Sequence, residues 1–485
     1  MNKKYDVIII GAGIGGLICA TKLAKYGLRV LILEQHDKPG GCVTSCRKHG
    51  YNFDYGAHIF GSCNKTGIFN YCLKELQISD ITFMRINPTE RFVFPDQTIE
   101  VPQDLNEYIS LLKDKFSDES GNIDLFFKEV LKISKNFSSH TLLMRNRKYA
   151  PLSEYKKQTF EKFLKSYFKD EKLMSVLSAQ SWYLGSTASN LAAVPMCLMM
   201  VSYLRDGTYY PQGGVQTVPN SILRKFQKYG GTILFEKEVS NIRIRNNRAR
   251  GVKTKDKEIF ESNIVVSNGD ALKTFFSLID NKNINLAYLE KIKKMKIGSS
   301  FFLTFLGIKE NLDLTKKSGW YHFSYGLNTK PENSLYIFIP SIIDNSVAPK
   351  HRHVVELAMP FPYNFSEIRD WNYCRKELRD KILEIAAKII PGLSEAVQIE
   401  ETATPKTIER YTFNTEGSAS GWGMSTNQVG ERRLFQETPV KNLYLTGHWT
   451  NPGGGIVPVA TSGWIVADKI IRNINSKNKI AILTR

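Results

Sequence analysis

The stretch YDVIIIGAGIGGLICATKLAKYGLRVLILE, residues 5–34, decides the fold of this chain. A short, β-branched apolar run at residues 5–10 leads directly into the glycine pattern GxGxxG. A segment with helical spacing follows, and a second apolar run at residues 28–33 ends on an acid. This order predicts a strand, a tight turn, a helix and a second strand of a buried parallel sheet. It is the order of a dinucleotide-binding unit, in which the pyrophosphate lies at the helix N-terminus.

Each residue of the glycine pattern has a physical reason. Gly11 allows the tight turn, Gly13 lets the backbone approach a pyrophosphate, and Gly16 lets the helix pack closely on the strand. Glu34 follows the second strand, where it is placed to accept hydrogen bonds from ribose hydroxyls. With Gly15 they form the first predicted cofactor contacts, although this stretch alone does not say which dinucleotide binds.

A second glycine turn is the first sign that the dinucleotide is FAD. Gly40 and Gly41, followed by Thr44, come six residues after the ribose acid. In FAD enzymes such a turn brings backbone and hydroxyl donors to the cofactor, and domains that bind only nicotinamide usually lack it. The sequence has no second GxGxxG unit for NADPH. We therefore expect FAD, with electrons going to or coming from a quinone, oxygen or another protein.

Composition limits the remaining possibilities. The 485 residues are 42% hydrophobic, which suffices for a large core and two intertwined domains. Seven cysteines without a paired framework suggest a reducing compartment, and Cys42 and Cys46 lack the second pair that a metal site needs. No signal peptide or apolar run of membrane-spanning length is evident. We expect free thiols, no metal and a cytoplasmic protein.

The net charge of +19 calls for an explanation. Basic residues cluster at 145–148, 243–250 and 291–296. They form either ordinary solvated faces or a surface that is attracted to anionic membranes. Nucleic-acid binding is not expected, because no recognition motif accompanies the charge.

The rest of the chain falls into four regions. Residues 68–204 have the pattern of helices and loops, for example at 124–133 and 160–176. The apolar part at 191–204 is either a buried core helix or the wall of a tunnel that faces lipid. The nucleotide unit resumes at Tyr210, and alternating runs between 297 and 431 predict an antiparallel sheet. The last unit predicts a strand at 443–446, a glycine-rich loop and a helix at 460–471.

Five segments carry a resemblance to a known family. They are GAGIGGL with GGCVTS; YPQGGVQTVPNSIL with GGTILFEKEV and VVSNGD; SFFLTFLGI; ATPKTIERYTFNTEGSASGWG; and NLYLTGHWTNPGGGIVPVATSGW. Over essentially its full length the chain resembles the FAD-dependent phytoene desaturase, carotenoid isomerase and retinol saturase superfamily. Desaturases of this family usually have Arg where this chain has Cys42, and many relatives have an acid where it has His448. The branch therefore stays open.

The resemblance implies an α/β fold with two domains. Residues 1–67, 210–285 and 435–485 would form a doubly wound, Rossmann-like FAD domain of the glutathione-reductase type. Residues 68–209 and 286–434 would form an α+β substrate domain with an antiparallel sheet. The implied reaction is hydride transfer between FAD and a long apolar polyene, giving desaturation, saturation or cis–trans isomerisation. Such substrates are taken from membranes, which implies a cytoplasmic protein associated peripherally with a membrane.

The predicted site residues combine the motifs with the resemblance. The predicted FAD contacts are Gly11, Gly13, Gly15, Gly16, Glu34, Gly40, Gly41, Thr44, Val239, Gly447, His448, Gly454, Gly455 and Ile456. His58 is either a proton donor or a structural histidine, and His448 either contacts the flavin or is structural. Glu409 with Arg410 could be a surface ion pair, and Tyr209 and Tyr210 could be packing residues, so the catalytic side chain stays open.

Two other functions share the predicted nucleotide domain. A flavin amine oxidase would need an aromatic cage and would release peroxide from amines. A non-catalytic carrier of prenylated partners, like the GTPase dissociation inhibitors, would have no need for an intact pyrophosphate loop, Glu34 and the last glycine loop.

Overall fold

A computed structural model describes residues 4–137, 155, 157–280, 284–309, 312–361 and 368–483. A parallel sheet of five strands lies at its centre. In spatial order these strands are Thr232–Leu234, Val30–Leu33, Val7–Ile10, Val265–Ser267 and Leu443–Leu445. Numbered along the chain, the order is 3-2-1-4-5, so it reverses beside Val7–Ile10. In doubly wound folds ligands bind at such a reversal, beyond the carboxyl ends of the strands.

Both faces of this sheet are buried. Val7 and Ile9 lie in one hydrophobic cluster, whereas Ile8 between them lies in another on the opposite face. This explains why the strands are unbroken apolar runs rather than alternating ones. The helices Ile14–Lys25 and Ile456–Leu483 pack against each other.

The predicted strand at 5–10 is divided between two sheets, which corrects the expectation of one element. Lys4–Tyr5 pairs with Ile259–Ser262 in a four-stranded sheet. Asp6 separates it from Val7–Ile10, because the Asp6 carboxylate accepts hydrogen bonds from the backbone and side chain of Arg29. The other strands of this sheet are Arg248–Thr254 and Val239–Arg245.

A mixed sheet of seven strands forms the second half of the molecule. Its spatial order is Val397–Ala403, Ser300–Ile308, His353–Phe361, Ser334–Phe338, Gly319–His322, Glu90–Val93 and Thr98–Val101. All neighbours are antiparallel except Gly319–His322 and Glu90–Val93, which are parallel. This confirms the sheet predicted between 297 and 431.

The expectation of only helices and loops at 68–204 is wrong. The structure forms Glu90–Val93 and Thr98–Val101 there, as well as Phe83–Arg85. Phe83–Arg85 pairs with Thr208–Pro211, which also pairs with Phe60–Gly61. These strands have two to four residues each. So short a segment cannot show the alternation of apolar and polar residues that predicts a strand, and the strands form through pairing with distant segments.

The helical part of this region is largely as predicted. Its helices are Ile68–Glu75, Leu105–Lys115, Ser120–Phe137, Phe160–Lys165, Glu171–Ser178 and Ala193–Asp206. The segment 160–176, which the pattern predicts as one helical example, forms two helices. The second begins after Asp170, because the Asp170 side chain caps it by accepting a hydrogen bond from Leu173 N. The apolar segment 191–204 is a buried core helix, since most of Ala193–Asp206 packs inside the main cluster. Within the described ranges, no helix is long and apolar enough to cross a membrane.

The remaining elements connect the two halves. A hairpin of Val43–Lys48 and Tyr51–Gly56 follows the second glycine turn. The other helices are Thr217–Lys228, Ala271–Phe276, Leu286–Lys294, Pro340–Ile343, Trp371–Ile389, Leu393–Ala396 and Pro405–Thr412. The five parallel strands come from the three segments expected in one domain, and the exact domain boundaries stay a prediction.

Candidate functional site

The first glycine loop lies at the carboxyl end of Val7–Ile10, where the strand order reverses. A Cβ on Gly13 would stand 2.7 Å from Asn268 Nδ2, and one on Gly15 would stand 2.7 Å from Asn268 Oδ1. A Cβ on Gly16 would stand 2.3 Å from the Gly11 carbonyl oxygen. Side chains are therefore excluded, and the turn presents bare backbone at the N-terminus of Ile14–Lys25, as a pyrophosphate requires.

Asn268 is a site residue that the sequence pattern does not mark. It directly follows Val265–Ser267, and its N–H donates to the Ile10 carbonyl over 2.9 Å. Within the part of the chain that the structure describes, its buried Oδ1 has no hydrogen-bond partner, although it lies among the glycines. Buried amide oxygens are normally bonded. This orphaned acceptor at the switch point fits a site that a cofactor completes, and its place just after the fourth strand is the signal that could have found it.

Glu34 directly follows the strand Val30–Leu33 and contacts the first glycine loop. Its Oε2 accepts from Ala12 N over 2.6 Å and its Oε1 accepts from His36 N over 3.0 Å. Each carboxylate oxygen has further acceptor capacity, which suits ribose hydroxyls. Lys237 N donates to the Glu34 carbonyl over 2.8 Å, which brings the neighbouring strand that begins at Val239 alongside.

The second glycine turn closes onto the first. Gly40 N donates to the Ala12 carbonyl over 2.9 Å, and a Cβ on Gly41 would stand 3.3 Å from the Cα of Gly13. Gly41 is exposed, so its backbone is accessible. The Thr44 hydroxyl donates to Gln216 Oε1 over 2.7 Å. It is therefore not the uncommitted donor that the sequence suggested.

The C-terminal loop completes the ring of glycines. Gly447 N donates to Ser462 Oγ over 2.9 Å, and a Cβ on Gly447 would stand 3.1 Å from Asn268 Oδ1. The exposed Gly455 precedes Ile456, and the helix begins there rather than at 460. Gly454 packs against Ser420. The loop thus joins the first motif and presents a second helix N-terminus.

His448 is held by a contact with Asn414. Its Nε2 lies 3.1 Å from Asn414 Oδ1, which also accepts from Trp449 Nε1 over 2.9 Å. Asn414 Nδ2 lies 3.6 Å from Cys42 Sγ, so Asn414 connects the diglycine turn to the C-terminal loop. Burial and the nearby Arg433 lower the pKa of His448 to about 3. The imidazole is neutral, and Nε2 carries the proton that it donates to Asn414.

His58 is brought into the interior beside a buried carboxyl group. Its ring stacks on Phe338 with 4.2 Å between centroids and on Tyr336 with 5.6 Å. Its Nδ1 lies 3.6 Å from Glu356 Oε2, and neither atom has a hydrogen-bond partner among the described residues. Burial lowers the pKa of His58 to about 4.

The other candidates lie in different surroundings. Glu409 pairs with Lys406 at 3.0 Å, whereas Arg410 lies over the ring of Tyr411, so Glu409 and Arg410 are not the ion pair that the sequence suggested. Tyr210 is not a simple packing residue, because its hydroxyl donates to a carboxylate oxygen of the buried Asp54.

Among the described residues, no group of three or more His, Cys, Asp or Glu could hold a metal.

Comparisons with known proteins agree with this geometry. Prolycopene isomerase 1 of an Oncidium hybrid cultivar is 27% identical over 99% of this chain and 86% of its own. The zeta-carotene-forming phytoene desaturase of Myxococcus xanthus is 24% identical, over 96% of this chain and 93% of its own. The all-trans-retinol 13,14-reductase of Rattus norvegicus is 25% identical, over 92% of this chain and 82% of its own.

Solved structures show the same fold. An oxidoreductase from Methanosarcina mazei has a TM-score of 0.70 at 21% identity, over 96% of this chain and 100% of its own. Putrescine oxidase bound to putrescine has a TM-score of 0.68 at 16% identity, over 97% of this chain and 99% of its own. The family model described as flavin containing amine oxidoreductase matches residues 14–471. The chain therefore belongs to the flavin-containing amine oxidoreductase family and is an enzyme with FAD as its cofactor.

Proposed function

We propose that this enzyme acts on a long apolar polyene of the carotenoid or retinoid kind, by desaturation, saturation or cis–trans isomerisation. The main support for this proposal comes from relatives that are named for these three reactions. Each of them matches more than nine-tenths of this chain. Their names share a largely apolar polyene substrate, whereas the direction of electron flow differs among them. The substrate class is therefore better supported than the direction.

The cofactor contacts are part of the proposal. We assign FAD to Gly11, Gly13, Gly15, Gly16, Glu34, Gly40, Gly41, Thr44, Val239, Gly447, His448, Gly454, Gly455 and Ile456, and add Asn268. The mutual contacts of the three glycine loops and the unpartnered Asn268 oxygen support this assignment. Thr44 can contribute only as an acceptor while it donates to Gln216.

The bound cofactor supplies hydride transfer to or from a polyene carbon. The chain supplies an apolar, aromatic interior that excludes water. Next to His58, the rings of Tyr336 and Trp320 lie 5.0 Å apart, and Tyr183 meets both edge-on. Such a surface suits a substrate that has π-electrons and few polar groups.

We also propose that the enzyme works at an anionic membrane surface on the cytoplasmic side. The helix Leu286–Lys294 places Leu286, which is 77% exposed, on the same element as the exposed Lys293 and Lys294. The basic cluster at 243–250 lies on a hairpin whose turn, residues 245–247, is exposed, and the cluster at 145–148 lies outside the described residues. Basic side chains contribute ~1 kcal/mol each near such a surface. Co-sedimentation with anionic but not neutral vesicles, weakened by salt, is expected; equal binding to both would contradict this part.

An amine oxidase is the alternative to be tested beside the main proposal. The amine oxidases among the structural neighbours are at or below 16% identity and show the fold alone. The relatives named for polyenes align at 24–27% identity over nearly the full chain.

The deciding experiment incubates the flavin-loaded protein anaerobically with polyenes in liposomes, once with the flavin oxidised and once with it reduced by dithionite. Desaturation needs the oxidised flavin as hydride acceptor, whereas saturation needs the reduced flavin as hydride donor. The flavin spectrum and the product mass are followed together. A loss of two hydrogens indicates desaturation, a gain of two indicates saturation, and an unchanged mass with altered geometry indicates isomerisation. No change across carotenoids and retinoids, together with peroxide from an amine panel in air, would replace the proposal with amine oxidation. No change in either assay would also refute it.

A further inference from the structure

Two buried carboxyl groups lie side by side behind His58. Asp54, on the strand Tyr51–Gly56, donates its backbone N–H to Glu356 Oε1 over 2.8 Å. Asp54 is 1% exposed and Glu356 is 4% exposed. In the part of the chain that the structure describes, no lysine or arginine forms an ion pair with either group. The pair is buried without a compensating cation.

The two carboxyl groups differ in their hydrogen bonds. Asp54 accepts from Ser45 Oγ over 2.6 Å, from Val215 N over 3.2 Å and from the Tyr210 hydroxyl. Among the residues that the structure describes, Asp54 N is the one donor to Glu356, and Glu356 Oε2 has no partner. Donors stabilise the ionised form. Burial raises the pKa of Asp54 as well, but these three donors oppose that rise, whereas Glu356 has the single donor described. We therefore place the charge of the pair on Asp54 and the proton on Glu356.

The surrounding groups reinforce this distribution. Burial first, and the Asp54 charge second, raise the pKa of Glu356 well above its usual range. The other titratable groups that face the pair are Tyr210, Tyr336 and Asp344. Burial raises the pKa of both tyrosines, and Asp344 adds further negative charge beside Asp54. None of them removes the proton from Glu356.

The protonated Glu356 faces the neutral His58. The 3.6 Å between Glu356 Oε2 and His58 Nδ1 is just beyond a hydrogen bond, and a small rotation of the carboxyl group closes it. The His58 ring is held flat against Phe338 and is 13% exposed. His58 follows Gly56 and Ala57, which are exposed, and Ala57 N donates to the Cys42 carbonyl over 3.0 Å beside the diglycine turn. His58 thus lies beside the carboxyl pair, and the residue before it is hydrogen-bonded next to the diglycine turn of the predicted FAD site.

We propose that His58 transfers the proton of the polyene reaction and that Glu356 is the positioning residue that relays a proton to it. This inference rests on the proposed function. In saturation, His58 gives its Nε2 proton to a polyene carbon while its Nδ1 takes the proton of Glu356. Glu356 becomes a carboxylate and is reprotonated from solvent, and the hydride already described completes the addition of two hydrogens. Desaturation reverses these transfers, and isomerisation returns the proton to His58.

The first arm of the test needs no substrate. Infrared spectra are recorded at about pH 8.5, above the pKa of Glu90, which burial raises to about 7. The wild type is expected to keep a protonated-carboxyl band that Glu356→Gln removes and the control Glu90→Gln retains. A wild type without such a band, or a band that survives in Glu356→Gln, overturns the relay whatever the outcome with polyenes.

The second arm measures turnover in deuterated water with a polyene that the wild type converts. His58→Gln is expected to lower turnover by about 10²–10⁴-fold, the usual contribution of a general acid or base, and to lower deuterium incorporation by the same factor where the reaction is saturation. The matched control is His322→Gln, since His322 is also buried, also stacks on an aromatic ring and has its pKa lowered to about 4. The control is expected to stay within about threefold. A similar loss in both variants, or none in His58→Gln, overturns the proposal.

The third arm separates the relay from a folding defect. Flavin content and melting temperature are compared for every variant, and His58→Asn is made if His58→Gln does not fold. Glu356→Gln is expected to keep its flavin and to lose the wild-type pH dependence of turnover. A Glu356→Gln enzyme with the wild-type pH profile contradicts the relay. Wild-type inactivity towards every polyene would refute the proposed function instead, and the carboxyl band would still report on the pair.

Discussion

A Cβ built on Gly463 would stand 2.1 Å from the carbonyl oxygen of Gly15. The C-terminal helix and the first helix therefore touch backbone to backbone, although their contacting residues are more than 400 positions apart in the sequence. This contact holds the last glycine loop against the first one. The cofactor site consequently depends on a residue that belongs to no glycine motif.

Gly463→Ala is expected to destabilise the protein. The added methyl group forces the two helices apart, and overpacking of this kind usually costs about 1–3 kcal/mol. Denaturant unfolding measures the loss, and flavin content should fall with it. Gly121→Ala is the control, because a Cβ there meets nothing within 4 Å and the residue is in a helix. Equal stability of the two variants would contradict the close contact.

Glu34→Ala is expected to weaken FAD binding by about tenfold or more, which corresponds to ~1.4 kcal/mol. The substitution removes the acceptor of Ala12 N and His36 N and the predicted acceptor of the ribose hydroxyls. Calorimetric titration of the deflavinated protein measures the affinity. The exposed Glu75→Ala is the control for loss of one negative charge. An unchanged affinity for Glu34→Ala would remove Glu34 from the site.

Asn414→Asp is expected to raise the pKa of His448 from its low value of about 3. A carboxylate beside Nε2 favours the imidazolium form, whereas the amide oxygen of Asn414 carries no charge. An NMR titration of the histidine ring signals measures the change, with His448→Gln for assignment. The pKa of His322, lowered to about 4, should not move. An unchanged His448 would mean that it does not contact Asn414 in solution.

Glu90→Gln is expected to change how stability depends on pH. Burial raises the pKa of Glu90 from 4.5 to about 7, and Tyr183 donates to it over 2.7 Å. The unfolded chain loses this proton first as the pH rises, so the wild type loses stability between about pH 4.5 and 7. Glutamine does not titrate, so the free energy of unfolding of Glu90→Gln does not fall in this way. The difference in unfolding free energy between the variant and the wild type should therefore rise by up to ~3 kcal/mol across that pH range. Parallel curves for the variant and the wild type would contradict the burial effect.

The predictions that succeeded concern local patterns. Unbroken apolar runs such as residues 30–33 identify strands buried on both faces, and the glycine spacing at residues 11–16 identifies the turn that follows. The buried helix Ala193–Asp206 was one of two options left open, and its burial decided between them. The short strands Phe83–Arg85 and Thr98–Val101 were missed because three or four residues carry too little pattern.

The sequence by itself determined the doubly wound sheet, the FAD type of glycine loops and the resemblance to the polyene enzymes. Only the tertiary structure decided that Asn268 lies unpartnered among the glycines, that Asn414 joins Cys42 to His448, and that Glu356 faces His58. Glycine motifs are readable because each works through its own local backbone. The other contacts join side chains about 30 to 370 residues apart, and whether a buried polar atom has a partner depends on the packing of the whole chain.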